Sequence, residues 1–196
     1  MATNYSDLQL DALREVANIG SGNAATALSN LLGRPIGVSV PDAKALPLAD
    51  AVDELGDPES FVTGVVIAVG GDLDALVLLV FTPAEAVALC RLLGVEAGSD
   101  WGLSALGEVG NILGCSYITA LGALTGMSIA PSPPETVSDM LGAIVSTALV
   151  AGLDSSDIAL ILDSKLKVGG TESAFGFLFI PAVNGVTELL GRLGVG

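Results

Sequence analysis

Two short segments of the chain carry the same polar side chains at the same spacing. Residues 11–18 read DALREVAN, and residues 104–111, which lie 93 positions later, read SALGEVGN. In each copy a small polar residue precedes a Glu by four positions, the Glu precedes an Asn by three, and a Pro follows the Asn by 23. The residues concerned are Asp11, Glu15, Asn18 and Pro41 in the first copy, and Ser104, Glu108, Asn111 and Pro134 in the second. This recurrence indicates a duplicated unit that carries the same carboxylate and carboxamide twice.

The residue types limit the chemistry that such a pair could perform. The chain contains no His, which excludes Ser-His-Asp and Cys-His triads, His-ligated zinc and imidazole acid-base catalysis. It also contains no Walker A sequence. An enzyme of this composition works with carboxylates, amides and hydroxyls, or with chemistry that a partner supplies.

Each polar set lies in a segment with the apolar period of a long helix. Ser6 or Asp7 can begin the first helix, which we predict to end at Gly33. The second helix is predicted over residues 103–124, with its end at Gly126, again 93 positions later. The motifs therefore occupy equivalent places on two equivalent helices.

The polar residues of each copy fall on one face of the predicted helix, opposite the apolar stripe. Gly22 continues this face in the first copy, and Cys115 does so in the second. A single charged stripe is ordinarily a solvated surface. Asn is disfavoured in helix interiors, however, and core packing does not demand the same exposed pair twice. The repeated pair therefore indicates a functional site.

Glycines in the first helix need a separate explanation. Gly20 and Gly22 each cost about 1 kcal/mol relative to Ala in a helix interior, so we predict that another backbone approaches them closely. Residues 20–25 also fit the G-x-G-x-x-A pattern of dinucleotide-binding folds. That fingerprint requires a preceding strand, whereas this copy lies inside a helical pattern, so a nucleotide site is disfavoured.

The remaining elements follow the same order in both halves. After the first helix we predict a strand over 36–40 that ends at Pro41, then a helix, a hairpin and a helix over 48–55, 61–69 with 75–81, and 84–93. After the second helix we predict a strand over 127–130, then a helix, a hairpin and a closing helix over 137–149, 158–168 with 173–180, and 181–193. Each half is too small to cover both faces of its own three strands. We therefore expect one domain over 1–196, made of two repeats at about 7–95 and 100–194.

Charge and hydropathy exclude two classes of protein. The 22 acidic and 7 basic residues give a net charge of −15, and Lys165 with Lys167 is too small a basic patch for nucleic acid. The mean hydropathy is +0.71, but the apolar run over 141–153 has 13 residues, where a membrane span needs about 20. The N-terminal segment has no basic residue followed by an apolar run, which argues against a signal peptide. We therefore predict a soluble, cytoplasmic protein.

An acidic surface with few Lys residues is also typical of halophilic proteins, in which salt screens the self-repulsion. Such a composition fits a halophilic archaeal source, and it equally fits an ordinary acidic protein. Neither Cys90 nor Cys115 has a metal-ligand spacing, and we interpret both as small buried apolar residues. No metal or cofactor site of the chain's own is predicted.

In both motifs the chain resembles the CheC/CheX/FliY family of chemotaxis phosphatases. The family motif is Asp or Ser, three residues, Glu, two residues, Asn, and Pro after a further 22, and both copies satisfy it. The resemblance covers essentially the whole chain, and two complete copies are more similar to CheC than to members with one site. It implies an α+β fold with pseudo-twofold symmetry, in which two long motif-bearing helices lie on a six-stranded, mainly antiparallel sheet.

The resemblance also implies an activity, which is removal of phosphate from the phosphorylated response regulator CheY. The regulator's own pocket holds Mg²⁺ and a Lys, so the phosphatase needs no cofactor. Asn18 and Asn111 would then position an in-line water, and Glu15 and Glu108 would dock the regulator.

Four further motif residues, Asp11, Ser104, Pro41 and Pro134, would support the geometry of the two sites. The alternative is a non-catalytic adaptor that binds the receptor deamidase CheD, a frequent partner in this family, or a flagellar-switch component. The helix predicted over 137–149 could present an apolar edge to such a partner.

Overall fold

The computed structural model describes residues 5–150, 158–168 and 171–196. Its helices are α1 (Asp7–Leu32), α2 (Leu48–Leu55), α3 (Pro83–Leu93), α4 (Asp100–Thr125), α5 (Leu141–Val150) and α6 (Gly185–Arg192). Its strands are β1 (Ile36–Pro47), β2 (Phe61–Gly71), β3 (Ala75–Phe81), β4 (Ile129–Pro131), β5 (Glu135–Met140), β6 (Ile158–Val168) and β7 (Thr171–Pro181). The N-terminal residues 1–4 and the end of the apolar run, 151–153, lie outside the described residues.

All strand pairings in the described sheet are antiparallel. The strand order is β1-β6-β7-β3-β2-β4, and β5 also pairs with β2. Strands β4 and β5 lie end to end along the same edge of β2, so the seven strands form a sheet that is six strands wide. The predicted α+β fold with a six-stranded antiparallel sheet is therefore confirmed.

The halves exchange strands across this sheet. The strand that follows the long helix in each half pairs with the hairpin of the other half: β1 pairs with β6, and β4 and β5, which together correspond to β1, both pair with β2. The two hairpins meet at the centre through β3 and β7. This exchange supports the prediction of one domain made of two repeats, which stays a prediction.

Helices cover both faces of the sheet. On one face the apolar sides of α1, α3, α4 and α6 form the larger core with alternate sheet residues, including Val65, Ile67, Leu79, Phe81 and Phe177. On the other face α2 and α5 pack over a smaller core that includes Leu78, Leu141, Ile161, Leu178 and Ile180. All seven residues of the central strand β3 are buried. The motif-bearing helices therefore have one buried side and one free side.

The ends of the long helices follow the sequence signals. Ser6 caps α1 through a capping box with Gln9, which satisfies backbone N–H groups at the helix start. Gly33 and Gly126 end α1 and α4 in the left-handed conformation, with φ of 61° and 68°, where Gly carries no steric penalty. These predictions are confirmed.

The two long helices run antiparallel and approach closely. A Cβ on Gly20 would lie 2.5 Å from Tyr117 Cδ1 and 2.9 Å from Tyr117 Cα. Further along α1, Leu31 lines the same depression as Ala105, which lies earlier in α4. The predicted close approach at Gly20 is therefore confirmed, whereas the one at Gly22 is wrong, because no neighbouring atom lies within 4 Å of its Cβ position.

Two strand boundaries differ from the predictions around Pro residues. Strand β1 does not end at Pro41 but continues to Pro47, with a register shift between Ser39 and Asp42. Pro lacks a donor for the sheet and is tolerated at an edge strand or bulge, and β1 is an edge strand. The strand predicted over 127–130 is β4, shifted to Ile129–Pro131.

Two predicted helices begin too early for a related reason. Residues 137–140 belong to β5, which pairs with β2, so α5 starts at Leu141. Pro181 ends β7 opposite Ala75, so the closing helix begins at Gly185. In both places sheet pairing with a distant segment overrides the local helical pattern. Among the described residues, no helix is long and apolar enough to cross a membrane.

Candidate functional site

The motif side chains lie on the free sides of α1 and α4. Asp11, Glu15 and Asn18 are all exposed on α1. On α4, Ser104 and Glu108 are exposed, whereas Asn111 is half-buried. A carboxylate and a carboxamide thus stand about one helical turn apart on each helix, where they can contact a partner.

The first motif is tied to its adjoining strand by an Arg that lies outside the predicted motif residues. The Arg14 guanidinium donates to Asp11 Oδ1 at 2.7 Å and to Asp42 Oδ1 at 3.3 Å. Asp42 directly follows Pro41 at the bulge of β1. The hydrogen bond to Asp11 and, less strongly, the contact with Asp42 raise the pKa of Arg14. Asp11 and the Pro41 bulge are therefore linked through one cation.

In the second motif the helix and its adjoining strand are also held together, but without a cation between them. Gly107 occupies the position equivalent to Arg14, and a Cβ there would lie 2.5 Å from Thr136 Oγ1. The absence of a side chain lets β5 lie directly against α4. Pro134 lies in the short link between β4 and β5, the place that corresponds to the bulge in β1.

The second site contains a further contact, between a thiol and the motif amide. Cys115 Sγ lies 3.2 Å from Asn111 Oδ1 and donates to it. Burial, together with the negative charge of Glu108, raises the pKa of Cys115, so the thiol stays protonated and can donate at neutral pH. The interpretation of Cys115 as a buried apolar residue is therefore wrong, whereas Cys90 is buried as expected. The sequence did contain a signal for this contact, because Cys115 lies on the same predicted helix face as Glu108 and Asn111.

The first site lacks this contact. The residue four positions after Asn18 is Gly22, and the space where its side chain would be is open. The backbone carbonyl of Asn18 accepts from Ser21 Oγ at 2.8 Å. The two sites thus share their Glu and Asn but differ in what holds the amide.

A metal site is not apparent in the described parts of the chain, which contain no group of three or more His, Cys, Asp or Glu residues arranged to hold an ion. The exposed pairs are suited to contact a polar or charged group on another protein. The protein therefore belongs to the class of α+β proteins with pseudo-twofold symmetry. In each half, a long helix that lies on the sheet carries one Glu and Asn pair.

Comparison with known proteins agrees with this description. The CheC-like family matches residues 8–44 and 102–138, which contain one motif each. The CheY-P phosphatase CheC of Bacillus subtilis (strain 168) is 37% identical over 166 residues, covering 81% of this chain and 79% of that protein. The flagellar motor switch phosphatase FliY of the same organism is 29% identical over 138 residues, covering 67% of this chain and 36% of that protein.

The fold is also found among solved structures. The crystal structure of Thermotoga maritima FliY matches with a TM-score of 0.76 and 21% identity, covering 98% of both chains. The chain belongs to the CheC-like family of chemotaxis proteins, as its motifs predicted.

Proposed function

We propose that this chain is a phosphatase that hydrolyses the aspartyl phosphate of a phosphorylated chemotaxis response regulator, CheY, at two similar sites. The observation that carries the proposal is the Glu and Asn pair on the free side of each long helix, present once on α1 and once on α4. The core does not use these side chains. The relative named CheY-P phosphatase CheC, at 37% identity, supports the choice of substrate.

In the proposed reaction each Asn positions a water in line with the phosphorus–oxygen bond of the aspartyl phosphate. The water oxygen bonds to phosphorus, the bond between phosphorus and the aspartyl oxygen breaks, and its electron pair leaves with the aspartate as a carboxylate. Both water protons remain with the released phosphate, as dihydrogen phosphate. A carboxamide holds the water through an acceptor and a donor, without changing its own protonation. Asn18 and Asn111 thus act by positioning, as the water-orienting glutamine of small GTPases does.

Glu15 and Glu108 dock the regulator. Each carboxylate, one turn before its Asn, pairs with the Lys of the regulator's phosphorylation pocket, as a charge-assisted hydrogen bond. The regulator also supplies Mg²⁺, which neutralises charge on the phosphoryl group. The phosphatase therefore contributes no metal or cofactor of its own.

Four motif residues have supporting roles in this proposal. Asp11 holds Arg14, which in turn holds Asp42 beside Pro41. Ser104 occupies the equivalent place in the second half, where Pro134 lies next to the β5 strand that packs on α4. These residues fix the helix relative to the adjoining loop rather than touch the phosphoryl group.

Substitution of both amides tests the proposal. The variant Asn18→Ala with Asn111→Ala is expected to keep its circular dichroism spectrum and thermal transition. Asn18 is exposed and Asn111 is half-buried, so neither side chain belongs to the core. It should lose about a hundredfold of the stimulated phosphate release, the magnitude typical of losing the alignment of a reacting group. Release is measured from phosphorylated CheY, at low and high salt. Undiminished release from a folded double variant would refute the assignment.

The adaptor function remains the second candidate, and one surface favours it. Phe61 and Met140 form a cross-strand pair on β2 and β5, and they are 60% and 47% exposed. A pull-down with CheD and the phosphate-release assay, performed on the same preparation, distinguish an adaptor, a phosphatase and a protein with both roles.

A further inference from the structure

Large apolar side chains are exposed at equivalent positions beside both motifs. Leu8 is 66% exposed and Trp101 is 78% exposed, and they stand 93 positions apart, each three residues before the small polar residue of its motif. Three- and seven-residue spacings place them on the same helix face as Asp11 with Glu15, and Ser104 with Glu108. Packing does not explain an exposed apolar residue that recurs in this way.

A second apolar pair follows the same symmetry. Leu31 and Leu124, also 93 positions apart, are 49% and 41% exposed. Because the helices are antiparallel, Leu31 reaches the second motif and lines an open depression of about 370 Å³ with Ala105 and Glu108. Arg34 lines the same depression, so the second motif is bordered by apolar side chains from both helices and by one cation.

We infer that Leu8 and Trp101 are apolar anchors covered by the regulator's receiver domain when its phosphorylated Asp reaches the motif; this inference rests on the proposed function. Ten residues separate each anchor from its Asn, a helical distance of about 15 Å. A standard interface covers about 800 Å² per partner, which corresponds to a radius of about 16 Å. A domain centred on the Asn therefore covers the anchor.

Single-site backgrounds make the anchors testable. Trp101→Ala is combined with Asn18→Ala, and Leu8→Ala with Asn111→Ala, so that each anchor is measured at the site it flanks. We expect KM for the phosphorylated regulator to rise about five- to thirtyfold, as for interface residues that contribute measurably to affinity but lie below the hot-spot threshold, with kcat little changed. Val183→Ala, which removes an exposed side chain between β7 and α6, should change neither constant.

An unchanged KM in both anchor variants would overturn this inference while leaving the proposed function standing. Loss of the proposed function is recognised separately, by full activity of the double Asn variant. Trp101 is the single Trp of the chain, so 5-fluorotryptophan labelling gives one ¹⁹F resonance at the second site. It should shift on addition of phosphorylated regulator. A shift produced by raising the concentration of the chain alone would assign the surface to a second copy and also overturn the inference.

The thiol contact carries a second, independent inference. Cys115 occupies one lone pair of Asn111 Oδ1, which leaves the other lone pair and both N–H groups free to hold a water. The contact also limits rotation of the amide. At the first site Gly22 provides no such group.

We also infer that Cys115 is a positioning residue that orients Asn111 for the proposed hydrolysis. Immobilising a side chain costs free energy, and without the thiol the Asn111 amide must be ordered anew in each turnover. Cys115→Ala in the Asn18→Ala background should therefore lower kcat about two- to tenfold, with KM unchanged. Cys115→Ser retains a donor and should restore most of kcat. An unchanged kcat in Cys115→Ala, or equal loss in the Ser variant, would refute the role.

The reciprocal substitution tests the same idea at the other site. Gly22→Cys has room, since no neighbouring atom lies within 4 Å of the new Cβ. In the Asn111→Ala background it should raise kcat of the first site about two- to tenfold, because the new thiol would hold the Asn18 amide in place. Gly22→Ala is the matched control and should leave kcat unchanged. A gain equal in the Ala and Cys variants would show that helix stiffening, not the thiol, is responsible.

Discussion

Tyr117 shows how a single side chain joins the two helices that carry the motifs. Its backbone and ring fill the space left by Gly20, and its ring centroid lies 4.6 Å from that of Phe177. The side chain is buried, and its hydroxyl makes no hydrogen bond within the described residues. Burial raises the pKa of Tyr117 to about 12, and the nearby Ser164 hydroxyl offsets only part of that rise.

This shift predicts a loss of stability at alkaline pH. Because the folded state favours the protonated phenol, its contribution is complete below the ordinary Tyr pKa of 10.0 and is lost as pH rises towards 12. Between pH 9 and pH 11.5 the wild type should lose about 2 kcal/mol more unfolding free energy than Tyr117→Phe, at 1.36 kcal/mol per unit. Urea unfolding at both pH values measures this, and equal losses would contradict it.

At the scale of elements, glycine determines how closely α1 and α4 pack. Gly20 and Gly22 differ by two positions in one helix, yet only Gly20 meets a neighbouring backbone. On α4, Cβ atoms at Gly110 and Gly114 would lie 2.7 Å from Val65 and 2.5 Å from Ile67. These contacts set the distance of α4 from the sheet.

The two glycines of α1 therefore predict opposite effects of the same substitution. Gly20→Ala should lower the free energy of unfolding by about 1–3 kcal/mol, because the new methyl group overpacks the Tyr117 contact. Gly22→Ala should raise it by about 1 kcal/mol, the gain in helix propensity. Chemical denaturation of both variants measures the difference. Stabilisation by both substitutions would show that α1 and α4 can separate at no cost.

The same elements show what sequence patterns can and cannot predict. The bounds of helix α1 were predictable to within one residue because Ser6 and Gly33 are local signals. The exposed Glu and Asn faces were predictable from helical period alone. Strand β5 was mistaken for helix because its state depends on pairing with β2, a segment far away in the chain. The contacts of Arg14 and Cys115 depend on side-chain conformations and neighbours that no period encodes.

At the scale of the whole molecule, strand exchange places both motifs on one continuous sheet. Each motif helix lies over strands from both halves, since β1 pairs with β6 and β5 with β2. A duplicated sequence thus presents two sites on one surface, each built from the same carboxylate and amide. Divergence at Arg14 and Gly107, and at Gly22 and Cys115, then changes one site without changing the other.

The net charge of −15 predicts that salt stabilises the whole fold. Seven basic residues cannot neutralise 22 acidic ones, and the screening length falls from about 10 Å at 0.1 M salt to about 3 Å at 1 M. The melting temperature should therefore rise with KCl concentration at constant pH. Asp53, Glu59 and Glu96 are exposed, and replacing them by Asn, Gln and Gln reduces the charge to −12, so the variant should melt higher at low salt and respond less to KCl. Equal salt responses of variant and wild type would show that ion binding or hydration, rather than self-repulsion, controls the effect.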